Sequence, residues 1–94
     1  MAIKIGSGMR TLAKAVSANP DSIGANTTGT VDLTVGGAVP GGVYLIQAPS
    51  TVDAGIIVQS IGVCNTAGTV IARLANVTGT PIDVGATTFT VIGL

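Results

Sequence analysis

Histidine, tryptophan and glutamate are absent from these 94 residues, and there is one cysteine, Cys64. Without imidazole and with a single thiol, the usual nitrogen and sulfur ligand sets for zinc cannot be assembled within one chain. No internal disulfide can staple the fold either. Tyr44 and Phe89 are the only aromatic residues, too few for the girdles of a transmembrane barrel. Charged residues make up 9% of the chain, against roughly 25% in an ordinary soluble domain. Four cations balance four aspartates, and a net charge of zero argues against electrostatic capture of nucleic acid. Long apolar runs are also missing. Mean hydropathy is +0.71, yet nothing approaches the ~20 apolar residues of a spanning helix. The opening Met1-Ala-Ile-Lys-Ile-Gly-Ser-Gly8 has no continuous apolar stretch of the kind a secretory signal requires. The expectation is a soluble chain made in the cytosol, with neither nucleic acid nor membrane as partner.

What is abundant is strand-and-turn chemistry. Thr (13), Val (12) and Ile (10) suit a pleated surface, and 14 Gly with 4 Pro punctuate it. Apolar residues alternate with period two after residue 27. In Thr30–Val35, Val31, Leu33 and Val35 share one face, while Thr30, Asp32 and Thr34 share the other. A second strand is predicted over Val43–Gln47, ended by Pro49. Gly55–Cys64 has little alternation, which predicts one long strand covered on both faces. Asn65-Thr-Ala-Gly68 reads as a hairpin connection into Thr69–Ala75, with Val70, Ala72 and Leu74 on one side. A short Pro81–Val84 segment and a strand over Thr87–Ile92 follow, with Phe89 and Val91 facing inward. The fold class expected is all-β: a small antiparallel β-sandwich or Greek-key barrel with an N-terminal arm. The arm is assigned to residues 1–18 and the β domain to residues 19–94.

Two readings of the arm stand side by side. Met9, Leu12, Ala13 and Val16 fit about two turns of helix, whereas Ile3 and Ile5 alternate with Ala2 and Lys4 as in an extended segment. Lys4, Arg10 and Lys14 give it +3; Arg73 against Asp21, Asp32, Asp53 and Asp83 leaves the remainder at −3. A basic arm precedes a mildly acidic body.

Chemical motifs are scarce. Ser7 and Ser17 lie near Lys4 and Lys14, but in this setting they read as polar residues of an exposed arm. The aspartates read as solvated turn and surface residues. No glycine cluster completes a phosphate-binding loop. Asn26-Thr-Thr28 and Asn76-Val-Thr78 match the glycosylation pattern but read as unmodified loop residues. Arg73 is expected to pair with an aspartate or to face a partner chain, and Cys64 to be a buried, inert thiol. No catalytic residue, metal or cofactor is expected. Eight charges cannot cover the exterior of a soluble domain of this size, so either Thr, Ser, Asn and Gly keep it wet or, as is expected, much of it is hidden against other chains.

The order of strand and turn phrases carries a resemblance. Asn19-Pro-Asp-Ser-Ile-Gly-Ala-Asn26 leads into Gly29-Thr-Val-Asp-Leu-Thr-Val35, and Pro49-Ser50 is followed by Gly55-Ile-Ile-Val58. Ala67-Gly-Thr-Val-Ile-Ala-Arg-Leu-Ala-Asn-Val-Thr78, Ile82-Asp83 and Thr88-Phe-Thr-Val91 complete the series. Over Ser17–Val91 this resembles the small virion proteins of tailed bacteriophages that decorate, or cement, the mature head. Gly41-Gly42 departs from a pattern that often has Gly-Asp there.

The resemblance implies a non-enzymatic structural protein on the capsid surface, with the major capsid protein and further copies of itself as partners, a trimer preferred. Related modules also occur in phage tails and fibres, where a receptor- or glycan-binding role is the alternative. The candidate partner interface is Ile3, Lys4, Ile5, Arg10 and Lys14, on the arm that precedes the strand phrases. Thr28-Gly-Thr30, Thr78-Gly-Thr80 and Thr88-Phe-Thr90 suggest ice binding as a third reading, but their spacing is irregular.

Overall fold

The computed structural model describes residues 12–94. Its seven strands are β1 (Leu12–Ala18), β2 (Thr28–Thr34), β3 (Tyr44–Gln47), β4 (Ile56–Val58), β5 (Ile61–Thr66), β6 (Thr69–Asn76) and β7 (Thr87–Gly93). They form one antiparallel sheet in the order β1-β7-β3-β5-β6-β2, with β4 on β6 beside β5. The sheet curls into a half-barrel, bringing its terminal strands β1 and β2 close to each other.

Period-two alternation decides what faces inward. Val70, Ala72 and Leu74 of β6 are buried, as are Leu33 of β2, Ile46 of β3 and Phe89 and Val91 of β7. Phe89 is the largest fully buried side chain and faces Val16 of β1 across the β1–β7 pair. Gly62 of β5 also points inward. A Cβ there would lie 2.5 Å from Val70 Cγ1 and 2.8 Å from Ile46 Cδ1, so only glycine lets these strands approach so closely. β5 and β6 are joined through Ala67-Gly68, with Thr66 opposite Thr69.

Three expectations, for Leu12–Ala18, Gly55–Cys64 and Asn76, require correction. Leu12–Ala18 is neither helix nor separable arm: all seven residues pair with β7 from Leu12↔Gly93 to Ala18↔Thr87, and Val16 enters the core. Pairing satisfies every second backbone group along the strand and places Val16 on Phe89, a burial that a free helical turn could not match. The domain therefore begins before residue 19. Gly55–Cys64 is two strands, because Gln59-Ser60 interrupts it. Gln59 N–H donates to Arg73 O at 2.9 Å, while Ser60 O accepts from Ile46 N–H at 2.7 Å. β4 and β5 thus meet β6 in different registers. Pro81–Val84 contributes a single bridge, Ile23↔Ile82. Asn76 is the last residue of β6, and it is buried.

Candidate partner-binding surface

Of the five residues expected at a partner interface, Ile3, Lys4, Ile5 and Arg10 lie outside the described residues. Lys14 is exposed on β1, opposite Val91, and its Nζ reaches toward Gly36 just beyond β2.

The side chains with reactive groups are dispersed. Asp53 accepts from Gly55 N–H at 2.8 Å and Asp83 from Gly85 N–H at 3.1 Å, each capping a turn two residues on. Asp21 and Asp32 line a shallow, open hollow between the end of β1 and β2, beside Asn19, Pro20 and Thr30. Among the described residues, no three of His, Cys, Asp and Glu converge as a metal site would need. Cys64 is buried, and its thiol donates to Thr66 O at 3.3 Å. No helix among the described residues is long and apolar enough to cross a membrane.

Both aromatic residues are internal. Tyr44 is buried, and its hydroxyl accepts a hydrogen bond from Val39 N–H at 2.8 Å. Its ring lies over Gly42, where a Cβ would meet the ring at 2.7 Å. With Phe89 also buried and tryptophan absent, the surface offers no aromatic platform.

The outer face of the sheet carries the most distinctive feature. Residues that alternate with the core project outward, and in one band across four strands they are apolar. Val43 (just before β3), Ile61 and Val63 (β5) and Leu94 (just after β7) are each 51–59% exposed. Leu45, Ile71 and Ile92 are half-buried on the same side. The registers make this one continuous patch: Leu45 stands between Ile61 and Ile92, Leu94 N–H donates to Val43 O at 3.0 Å, and Val63 stands opposite Ile71. Beyond Ile71 the face turns polar, because β2 presents Thr28, Thr30, Asp32 and Thr34. Arg73 sits at this margin. The register places Thr30 opposite it, and with Ile61, Val63 and Ile71 it lines a depression of about 150 Å³.

This patch was not assigned as a site from the sequence. The signal for it was the weak alternation of Gly55–Cys64, read above as cover on both faces. The chain itself covers only one: Ile56, Gly62 and Cys64 are buried, whereas Ile57, Ile61 and Val63 stay more than half exposed.

Comparison with protein-family models, with curated proteins and with solved structures finds no match.

Proposed function

We propose that this chain is a non-enzymatic structural protein of a phage virion, a decoration protein that sits on the outside of the head and binds coat subunits. The observation that supports this reading best is the uncovered apolar outer face, centred on Val43, Leu45, Ile61 and Val63. Exposed apolar patches rimmed by polar residues mark surfaces that associate with other macromolecules. The dispersal of the aspartates and the burial of Cys64 leave association as the property this surface favours. A receptor- or glycan-binding module of a tail or fibre has less support, since sugar rings are commonly held against exposed aromatic side chains and Tyr44 and Phe89 are both internal.

Residues 1–11, with Ile3, Lys4, Ile5 and Arg10, supply the second element of the proposal. A basic, partly apolar segment suits an acidic capsid exterior and can add to a coat subunit by strand pairing and apolar contact. The test is co-sedimentation of the purified chain with phage heads that lack it. Binding at a fixed ratio to the major capsid protein is expected, and a chain lacking residues 1–8 should keep its melting temperature but lose head binding. Recovery with tail proteins alone, or undiminished head decoration by the truncated chain, would count against this assignment.

A further inference from the structure

The apolar outer face is organised in two rows that cross the strands. One row runs Leu94, Val43, Val63 and Ile71 and ends on Asp32 of β2. Its neighbour runs Ile92, Leu45 and Ile61 and ends on Arg73 and Thr30. Each row is therefore apolar over β7, β3 and β5. Each also carries one charge toward the β2 edge, and the two charges are of opposite sign.

We infer that this face is covered by a second copy of the same chain, stacked about a two-fold axis that runs across the strands between the two rows. Rotation about that axis lays each row on the other. Val63 meets the partner's Ile61, and Val43 meets the partner's Leu45. Arg73 comes to lie over the partner's Ile71, offset laterally by one strand spacing, about 4.8 Å, from the partner's Asp32, which its long side chain approaches across a sheet separation of about 10 Å. Symmetry makes the same contact twice. The two charges that one copy leaves at the margin of an apolar face thus find complementary charges on the other.

Contact between identical patches is isologous, which selects a two-fold arrangement over the trimer that the family resemblance implies. The face offers on the order of 500 Å² of apolar surface per copy, so a pair hides roughly 1,000 Å², near the lower limit for a specific interface. So small a face suits weak, concentration-dependent association. The inference rests on the structural role proposed above, with this face serving self-assembly and residues 1–11 making the contact with coat subunits. Its test uses the purified chain alone, so that self-association and head binding can fail independently.

Sedimentation of the full chain between about 1 and 300 µM should show a concentration-dependent dimer. Val63→Asp should abolish the dimer, while Thr88→Asp, on the exposed part of β7 away from the two rows, should leave it unchanged. The decisive arm is a charge swap in trans. Arg73→Asp and Asp32→Arg should each weaken self-association roughly tenfold or more, through like charges at both symmetric contacts. An equimolar mixture of the two variants should restore it as a heterodimer, because both contacts are then complementary. That recovery does not depend on whether Val63→Asp folds. A full-length chain that stays monomeric at 300 µM overturns the inference, whether the face is then closed by residues 1–11 or left for a coat subunit. So does a mixture that associates no better than its components, which would mean that Arg73 and Asp32 do not meet across copies.

Discussion

The side-chain amide of Asn76 donates to the main-chain oxygen of Ile23 at 3.0 Å, joining positions 53 residues apart in the chain. The same amide donates to Thr80 O at 2.7 Å, and its carbonyl oxygen accepts from Thr78 N–H at 2.9 Å and Thr78 Oγ1 at 2.7 Å. Every hydrogen-bonding position of the amide is therefore used, and Asn76 is 1% exposed. The clasp holds the 77–82 loop against the segment that enters β2, where Ile23 and Ile82 also pair through their backbones at 2.8 and 3.0 Å. Few single side chains in this domain organise so much.

Asn76→Ala should accordingly be among the most damaging single changes. It removes one of the two hydrogen bonds to each of the Ile23 and Thr80 oxygens, which keep Ile82 N–H and Thr78 Oγ1, and leaves Thr78 N–H without its acceptor, so a cost of about 2–3 kcal/mol is expected. For a domain of this size that lowers the melting temperature by more than about 10 °C. Asn76→Asp should be similarly harmful despite its matching shape, because an acceptor would then face two carbonyls. Thermal unfolding followed by circular dichroism measures both. A change below about 1 kcal/mol in either variant would show that the clasp is dispensable.

Gly62 makes the second prediction. Alanine there drives a methyl group into Val70 and Ile46, and overpacking of this kind costs about 1–3 kcal/mol. Gly79 is the control, because a Cβ at that position meets nothing within 4 Å. Urea denaturation should separate Gly62→Ala from Gly79→Ala by at least about 1 kcal/mol. Equal midpoints would mean that β3, β5 and β6 relax apart freely.

The Tyr44 corner yields the third. Tyr44→Phe keeps the ring but leaves Val39 N–H without its acceptor, at an expected cost of about 1 kcal/mol. Gly42→Asp, the change to the Gly-Asp pair that the resembled phage proteins often have there, meets the Tyr44 ring directly. It should destabilise the wild-type background by more than it does a Tyr44→Ala background. A double-mutant cycle in urea reads that coupling, and additive effects would argue against the clash.

Much of the fold was legible in the residues. Alternation in Thr30–Val35, Thr69–Ala75 and Thr87–Ile92 set strands and their inward faces, since one polar side and one apolar side leave a single way to lie on a core. Leu33, Val70, Leu74, Phe89 and Val91 are buried as that pattern demands. Asp53 and Asp83 sit in turns for an equally local reason, because each bonds to a backbone N–H two residues away.

Other features depend on contacts that a local pattern does not encode. Leu12–Ala18 fits a helical stripe as well as a strand, and the choice was made by β7, which begins 69 positions after Ala18. Asn76 has the composition of a turn residue. Its burial was decided by two carbonyls from opposite sides of the loop, one of them from Ile23. The outer face is the clearest case. Composition posed the choice, since eight charges leave the exterior either to uncharged polar residues or to cover by other chains. Which residues stay uncovered was fixed only when β7, β3, β5 and β6 came side by side in one register. Cross-strand neighbours are chosen by hydrogen-bond pairing between distant segments, so Val43, Ile61, Val63 and Leu94 become one patch only in three dimensions.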